Sequence, residues 1–287
     1  MTTMPITQEL VIEKACELPG FPRVITEIIA TLDDPEANLN VLSQLIQLDP
    51  VIAARVLSLA NNAASRTRHL SEIRDIYTAT SLIGMGRVRQ MALISSCADY
   101  FDRIAPANMT SMFWQHSVAV GICGEELALY VAKPVSSGTA LIAGLLHDVG
   151  QLWLYRFSPE AFRAAWNQMQ AHSGSIEEAE REQFGADHSV IGAWLAEYWQ
   201  LPPPIIAAIR FHHACDGALD QPIVPVIHVA EVLSNALDLT GRKENHVTHI
   251  SAAACRSLGL TWNDETRTLF GRIDARSRHA NAFFEST

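Results

Sequence analysis

The sequence has few cysteines, few charged residues and no block of positive charge, and each shortage closes off a class of protein. Cys16, Cys97, Cys123, Cys215 and Cys255 stand far apart, without a Cys-x-x-Cys pair. An odd, scattered set does not make a disulfide scaffold, so reduced and mostly buried thiols in a cytoplasm are expected. Lys and Arg number 21 against 31 Asp and Glu, a formal net charge of -10. A phosphate-backbone binder needs a Lys/Arg surface, so this balance argues against nucleic acid as a partner. Arg66, Arg68, Arg87 and Arg89 are the one basic grouping worth testing for it. The start, MTTMPITQEL, lacks the basic-then-apolar pattern of a signal peptide. The most apolar stretch is interrupted by His147, Asp148 and Arg156 and is not read as membrane-spanning. Alternating strand patterns, short repeats and low-complexity tracts are also missing, which leaves an all-α fold.

What is there is apolar and helical. The chain has 287 residues, 48% of them hydrophobic, enough for one large domain or two modest ones with a sizeable core. Leu18-Pro19-Gly20-Phe21-Pro22 is a stiff turn into a helix, after which Phe21, Val24, Ile25, Ile28, Ile29 and Leu32 share one face until Asp33-Asp34-Pro35. Asp49-Pro50 is a helix start, with Asp suited to the N-cap and Pro to the first helical position. Gly84-Met85-Gly86 follows a helix rather than a strand, so it reads as a helix stop and not as a phosphate loop. Pro106-Ala107-Asn108 separates the two halves. Ser175-Ile176-Glu177-Glu178 is a capping box, and Asp187 caps the helix after it. Val247–Leu258 and Glu265–Ile273 complete the helices, and the last dozen, polar residues are expected to fray.

The stretch Ala140–Phe157 is read as one central helix, hydrophobic on nearly every side, with His147 and Asp148 in its middle. A histidine and a carboxylate are costly to bury without partners. His116, His188, His212 and His213 sit in similar settings, on or at the ends of helices with apolar neighbours, and Glu231 is an optional last member. Neutral imidazoles and carboxylates together suit Fe, Mn or Zn, and a carboxylate can bridge two ions. Each member also has a plain alternative. A lone histidine on an apolar face is commonly a hydrogen-bonded core residue, and His212-His213 could simply close a helix. His172, His246, His249 and His279 read as surface or loop residues; His69 and His228 are unassigned.

With these residues in hand, the chain resembles the HDOD family, a branch of the HD-domain superfamily, from about Cys16 to His213. The matching features in the first half are Leu18-Pro19-x-x-Pro22, Asp49-Pro50, Ala60-Asn61-Asn62 and Ile83-Gly84-Met85-Gly86-Arg87-Val88-Arg89. In the second half they are Trp114-Gln115-His116, Gly144-Leu145-Leu146-His147-Asp148-Val149-Gly150, Phe184-Gly185-Ala186-Asp187-His188, and Trp199-Gln200-Leu201-Pro202-Pro203 with His212-His213. The resemblance implies an N-terminal helical lobe over residues 1–105, an HD-like helical bundle over 106–215 and a helical extension packed on it over 216–287. It implies a role in bacterial signalling or regulation. In catalytic HD relatives the residues matching His116, His147, Asp148, His188, His212 and His213 hold one or two metal ions and hydrolyse phosphoesters.

Three departures bear on activity. The related HD-GYP phosphodiesterases carry Lys where this chain has Gln151, and a neutral amide offers no point charge to a phosphate. Their Gly-Tyr-Pro after the paired histidines is replaced by Ala214-Cys215-Asp216-Gly217-Ala218. The closing aspartate of the set is matched at best by Glu231, one methylene longer. Two functions are therefore carried forward. One is a regulatory binding module for a signalling protein partner, its metal structural or vestigial. The other is a metal-dependent phosphohydrolase acting on a phosphoester or cyclic nucleotide, with Asp148 as ligand and proton acceptor. Both require the histidines to converge on Asp148.

Overall fold

The structure, a computed structural model, describes residues 5–32, 39–65, 73–105, 107–172, 174–240 and 249–285. The expectations placed on Asp33-Asp34-Pro35, Arg66, Arg68, His69, Pro106 and His246 fall outside these residues, as do the side chains of His172 and His279. The described residues are helical without a strand, and the fold is all-α. The chain forms two compact units, Gly20–Tyr100 and Met1–Pro19 with Phe101–Thr287. No helix among the described residues is long and apolar enough to cross a membrane.

Beyond α1 (Gln8–Ala15), the unit Gly20–Tyr100 holds α2 (Arg23–Ala30), α3 (Leu39–Gln47), α4 (Pro50–Ser65), α5 (Ile76–Ile83) and most of α6 (Met85–Ile104). Ile25, Ile28, Leu42, Ile46, Ile52, Val56 and Ala79 form its core. Asp49 accepts from the N–H groups of Val51 and Ile52 at 2.9 and 3.1 Å, so the predicted cap starts α4. Asn61 lies inside α4, donates to the carbonyl of Ile73 at 2.9 Å and accepts from the Ile73 N–H at 2.8 Å, clasping the chain that leads into α5. Gly84, at φ +94°, breaks α5 from α6 in a conformation that a side chain would strain.

The larger unit is built around α7 (Ala107–Tyr130), which packs along α8 (Ser137–Leu146) and the later helices α14 (Ile223–Ala236) and α16 (Asp264–Glu285). A Cβ at Gly144 would sit 2.6 Å from the Gly121 Cα, so α7 and α8 approach as only paired glycines allow. The stretch Ala140–Phe157 is not the single helix its apolar run predicts. It breaks at His147-Asp148, where Asp148 takes φ -98° and ψ 10°, and resumes as α9 (Val149–Phe157). Just past the break α9 meets a neighbouring helix closely: a Cβ on Gly150 would lie 2.0 Å from the His188 carbonyl oxygen. The break thus sets the start of α9 directly on the start of α12 (His188–Tyr198).

Between them run α10 (Pro159–His172) and α11 (Ile176–Phe184), the latter opened by the predicted Ser175–Glu178 capping box. After α12 come α13 (Pro203–Phe211), a 3-10 turn at Cys215–Ala218, α14 (Ile223–Ala236), α15 (Ala252–Leu258) and α16 (Asp264–Glu285). The N-terminal α1 packs on α12, and the Ile6 N–H donates to the Phe184 carbonyl at 2.7 Å. The expected fraying of the last dozen residues is corrected by α16, which continues to Glu285. Leu269, Ile273 and Ser277 are buried, while Arg272 and Arg276 both reach Glu126 on α7 and Arg276 also reaches Glu125. Apolar contact and ion pairing together hold a segment whose composition alone looks solvated.

Candidate metal centre

Five helix segments deliver the predicted residues to one place. His116 projects from α7, and His147 and Asp148 occupy the break before α9. His188 opens α12, whose first turn is capped by Asp187 accepting from the Val190 N–H at 3.0 Å. His212 and His213 lie where α13 ends, and Glu231 comes from α14. Asp148 is the hub. Its Oδ2 lies 3.4 Å from His147 Nε2 and 3.7 Å from His116 Nε2; its Oδ1 lies 3.2 Å from His188 Nε2 and 3.7 Å from His212 Nε2. His213 Nε2 is 3.0 Å from His188 Nε2, and its Nδ1 is 3.8 Å from Glu231 Oε2. His147, His188 and His212 have no exposed surface, whereas His213 and Glu231 keep 22% and 16% of their side chains exposed and form the open side.

The outer ring nitrogens fix which way each imidazole faces. His147 Nδ1 donates to the Gly144 carbonyl and His212 Nδ1 to the Ile209 carbonyl, both at 2.7 Å. A carbonyl can only accept, so each neutral ring keeps its lone pair on Nε2, facing Asp148. Those two Nε2 atoms are buried without a hydrogen bond. Buried polar atoms are ordinarily satisfied, and two orphaned lone pairs facing one carboxylate indicate a missing partner. Burial pushes His147 and His212 below the ordinary imidazole value, and His213 down to about 3. Burial works against His188 too, but the Glu180 and Asp148 carboxylates outweigh it and raise that ring well above the usual value. For Asp148, burial is outweighed by His147, His188 and His116, which hold the carboxyl well below its usual range. Burial and the Asp148 charge push Glu231 well up.

The seven atoms divide into two sets, each with its ligand atoms within 4.8 Å of one another: Asp148, His188, His212 and His213, and His116, His147 and Glu231. The orphaned lone pairs and the imidazole–carboxylate chemistry both fit divalent transition ions, and this buried group could bind metal. Two contributors escape a reading of the sequence. Glu180, without exposed surface, takes the His188 Nδ1 at 2.6 Å and the His188 N–H at 2.8 Å on the same carboxylate oxygen. It sits among the charges of an ordinary-looking acidic helix, and nothing in that run marks it as the buried one. His228 donates through Nδ1 to the His212 carbonyl at 2.8 Å and accepts the Ser251 N–H on Nε2 at 3.0 Å. Its place on the apolar face of α14 was the available signal.

A helical unit that gathers five histidines around a buried aspartate at a helix break is of the HD-domain class. The HDOD domain matches residues 18–215, and the chain belongs to that family. An HDOD domain protein with unknown function from Geobacter sulfurreducens is 24% identical, with a TM-score of 0.74 over 95% of each chain. A candidate phosphohydrolase from Shewanella amazonensis is 22% identical, with a TM-score of 0.66 over 95% of each chain. A candidate signal transduction protein from Marinobacter aquaeolei is 22% identical, with a TM-score of 0.74 over 96% of this chain and 61% of its own. At these identities the likeness is one of fold. An uncharacterized protein of Treponema pallidum is 25% identical in an alignment of 243 residues that covers 77% of this chain and 43% of that protein. The chain thus spans less than half the length of that curated relative.

Proposed function

We propose that this chain is a regulatory module of bacterial signal transduction that acts by binding a protein partner, and that its HD-type centre holds two divalent ions without efficient phosphoester turnover. The observation that carries the reading is the contrast between a complete donor set and a weak anion grip. Asp148 offers one oxygen to each of two sets of candidate ligands, so Fe, Mn or Zn ions would find imidazole and carboxylate donors on both sides. The residue after Gly150 is Gln151, and the open side carries Glu231, with Glu177 close enough to raise its carboxyl further. The neutral amide of Gln151 offers no point charge to a phosphate.

Divalent ions at such a centre supply Lewis-acid charge and activate water for attack on phosphorus. The chain's own residues do the rest. His116, His147, His188, His212 and His213 would bind through Nε2, the Nδ1 partners of His147, His188 and His212 would hold those rings in place, and Asp148 would span both ions. The same two-sided Asp148 favours the second reading, a metal-dependent phosphohydrolase, since paired ions can clamp a phosphoryl oxygen. The test combines metal analysis of protein purified without chelator with assays on bis-p-nitrophenyl phosphate and cyclic dinucleotides. The expected result is about two ions per chain and no turnover above an Asp148→Asn control. Turnover that needs metal and vanishes in Asp148→Asn would establish the hydrolase instead.

A further inference from the structure

We infer that the two halves of the metal centre are unequal, and that Glu180 makes the half formed by Asp148 Oδ1, His188, His212 and His213 the tighter and first-filled one. The inference rests on the two-ion reading above and concerns the side chains behind the ligands. His147 and His212 are each backed by a main-chain carbonyl three residues earlier, a partner that any helix end can supply. His188 alone among these three is backed by a carboxylate. A single Glu180 oxygen takes both its ring Nδ1, at 2.6 Å, and its main-chain N–H, at 2.8 Å. Ring and backbone are therefore fixed by one atom, which sets the direction of Nε2 more firmly than either bond alone.

A carboxylate behind a ligating imidazole draws the Nδ1 proton and makes Nε2 a stronger donor, and losing such a partner typically weakens metal binding 10–100-fold. Glu180 is also buried without exposed surface, and its second oxygen has no hydrogen bond. Removing a carboxylate from water is costly unless positive charge lies close by. An ion on the His188 side would provide that charge one ring away. On the other side, His147 leans on a carbonyl and Glu231 remains partly exposed. Glu180 is accordingly a positioning residue for His188, acting through it rather than on a substrate.

The test is Mn(II) titration of metal-stripped full-length protein, followed by metal analysis and electron paramagnetic resonance. Wild type should bind in two phases and, when full, give the signal of a spin-coupled pair. Glu180→Gln keeps an acceptor but not the charge; it should weaken the tight phase about 10–100-fold and leave the weak phase within a few-fold. A purely structural Glu180 would leave Glu180→Gln like wild type, and that result overturns the inference. If Glu180→Gln does not fold, the order of filling is read from two other variants. His147→Asn should retain the tight phase and His188→Asn should lose it; the reverse pattern overturns the inference. Wild type that never takes up a second ion, whatever its variants do, overturns the two-ion reading instead, so the two failures are separable.

Discussion

The ring of His228 holds the main chain of His212: its Nδ1–H donates to the His212 carbonyl at 2.8 Å, while its Nε2 accepts the N–H of Ser251 at 3.0 Å. One imidazole thereby ties α14, the start of α15 and the turn carrying two of the central histidines. The two partners dictate a neutral ring, since a carbonyl cannot donate and an amide N–H cannot accept. Burial, the larger cause, lowers this histidine's pKa accordingly.

Replacing His228 with Ala should therefore leave a buried carbonyl and a buried N–H unpaired. The cost is about 1–3 kcal/mol for each group left without a partner, read as a fall in the denaturation midpoint of the metal-free protein. The freed His212-His213 turn should also weaken metal uptake about tenfold, consistent with the usual effect of losing a supporting contact behind a ligand. His228→Gln can restore one bond but not both, and should fall between. Unchanged stability and unchanged metal uptake in His228→Ala would refute this role.

These relationships mark how far the sequence could be read. The helices announced themselves through Asp49-Pro50, the Ser175–Glu178 box and Asp187, because caps are local chemistry. The convergence of His116, His147, Asp148, His188, His212 and His213 was legible as a pattern of polar residues on apolar helices. The break at His147-Asp148 was not, because the apolar run continues through it, and the close approach of Gly150 to the backbone of His188 beside it involves residues 38 apart in the chain. Glu180 escaped for a similar reason. Whether a carboxylate in a charged helix faces water or a histidine depends on which neighbour that helix packs against, and no local pattern records it. The same holds for the end of the chain, where arginines that look solvated belong to a clasp.

That clasp joins α16 to α7 and should be sensitive to acid. Burial works to raise the Glu126 carboxyl, but Arg276 and Arg272 outweigh it and bring it below the usual range. A carboxyl lowered in the folded state stabilises the fold fully above its unfolded value. That contribution is lost as pH falls through the lowered, folded value. The expected outcome is a melting temperature that declines as pH drops from about 5 through the carboxylate range. Glu126→Gln should flatten that part of the profile and lower stability near neutrality by about 1–3 kcal/mol. Arg276→Ala should do much the same through the other partner, and combining the two changes should cost less than their sum, because both break one network. Full additivity would show that the arginines and Glu126 act apart. A profile in Glu126→Gln that matches wild type would remove the acid sensitivity from this clasp.

The sharpest consequence concerns Asp148, which faces four imidazoles and can be replaced by Asn without loss of volume. Any ion that binds the folded chain and not the unfolded one adds stability by mass action, about 2.7 kcal/mol at a free concentration one hundred times its dissociation constant. Wild type reconstituted with Mn(II) or Zn(II) should therefore melt several degrees above the same protein stripped with chelator. Asp148→Asn should lose that difference, because an amide is a poor ligand and its nitrogen cannot accept from either side. Stripped Asp148→Asn should itself melt below stripped wild type, since Asn keeps the shape of the pocket but removes a charge that His147, His188 and His116 favour in the folded state. The comparison separates the two roles open to the histidines. If they were only core residues, chelator would not move the wild-type transition, and Asp148→Asn would change it equally with and without metal.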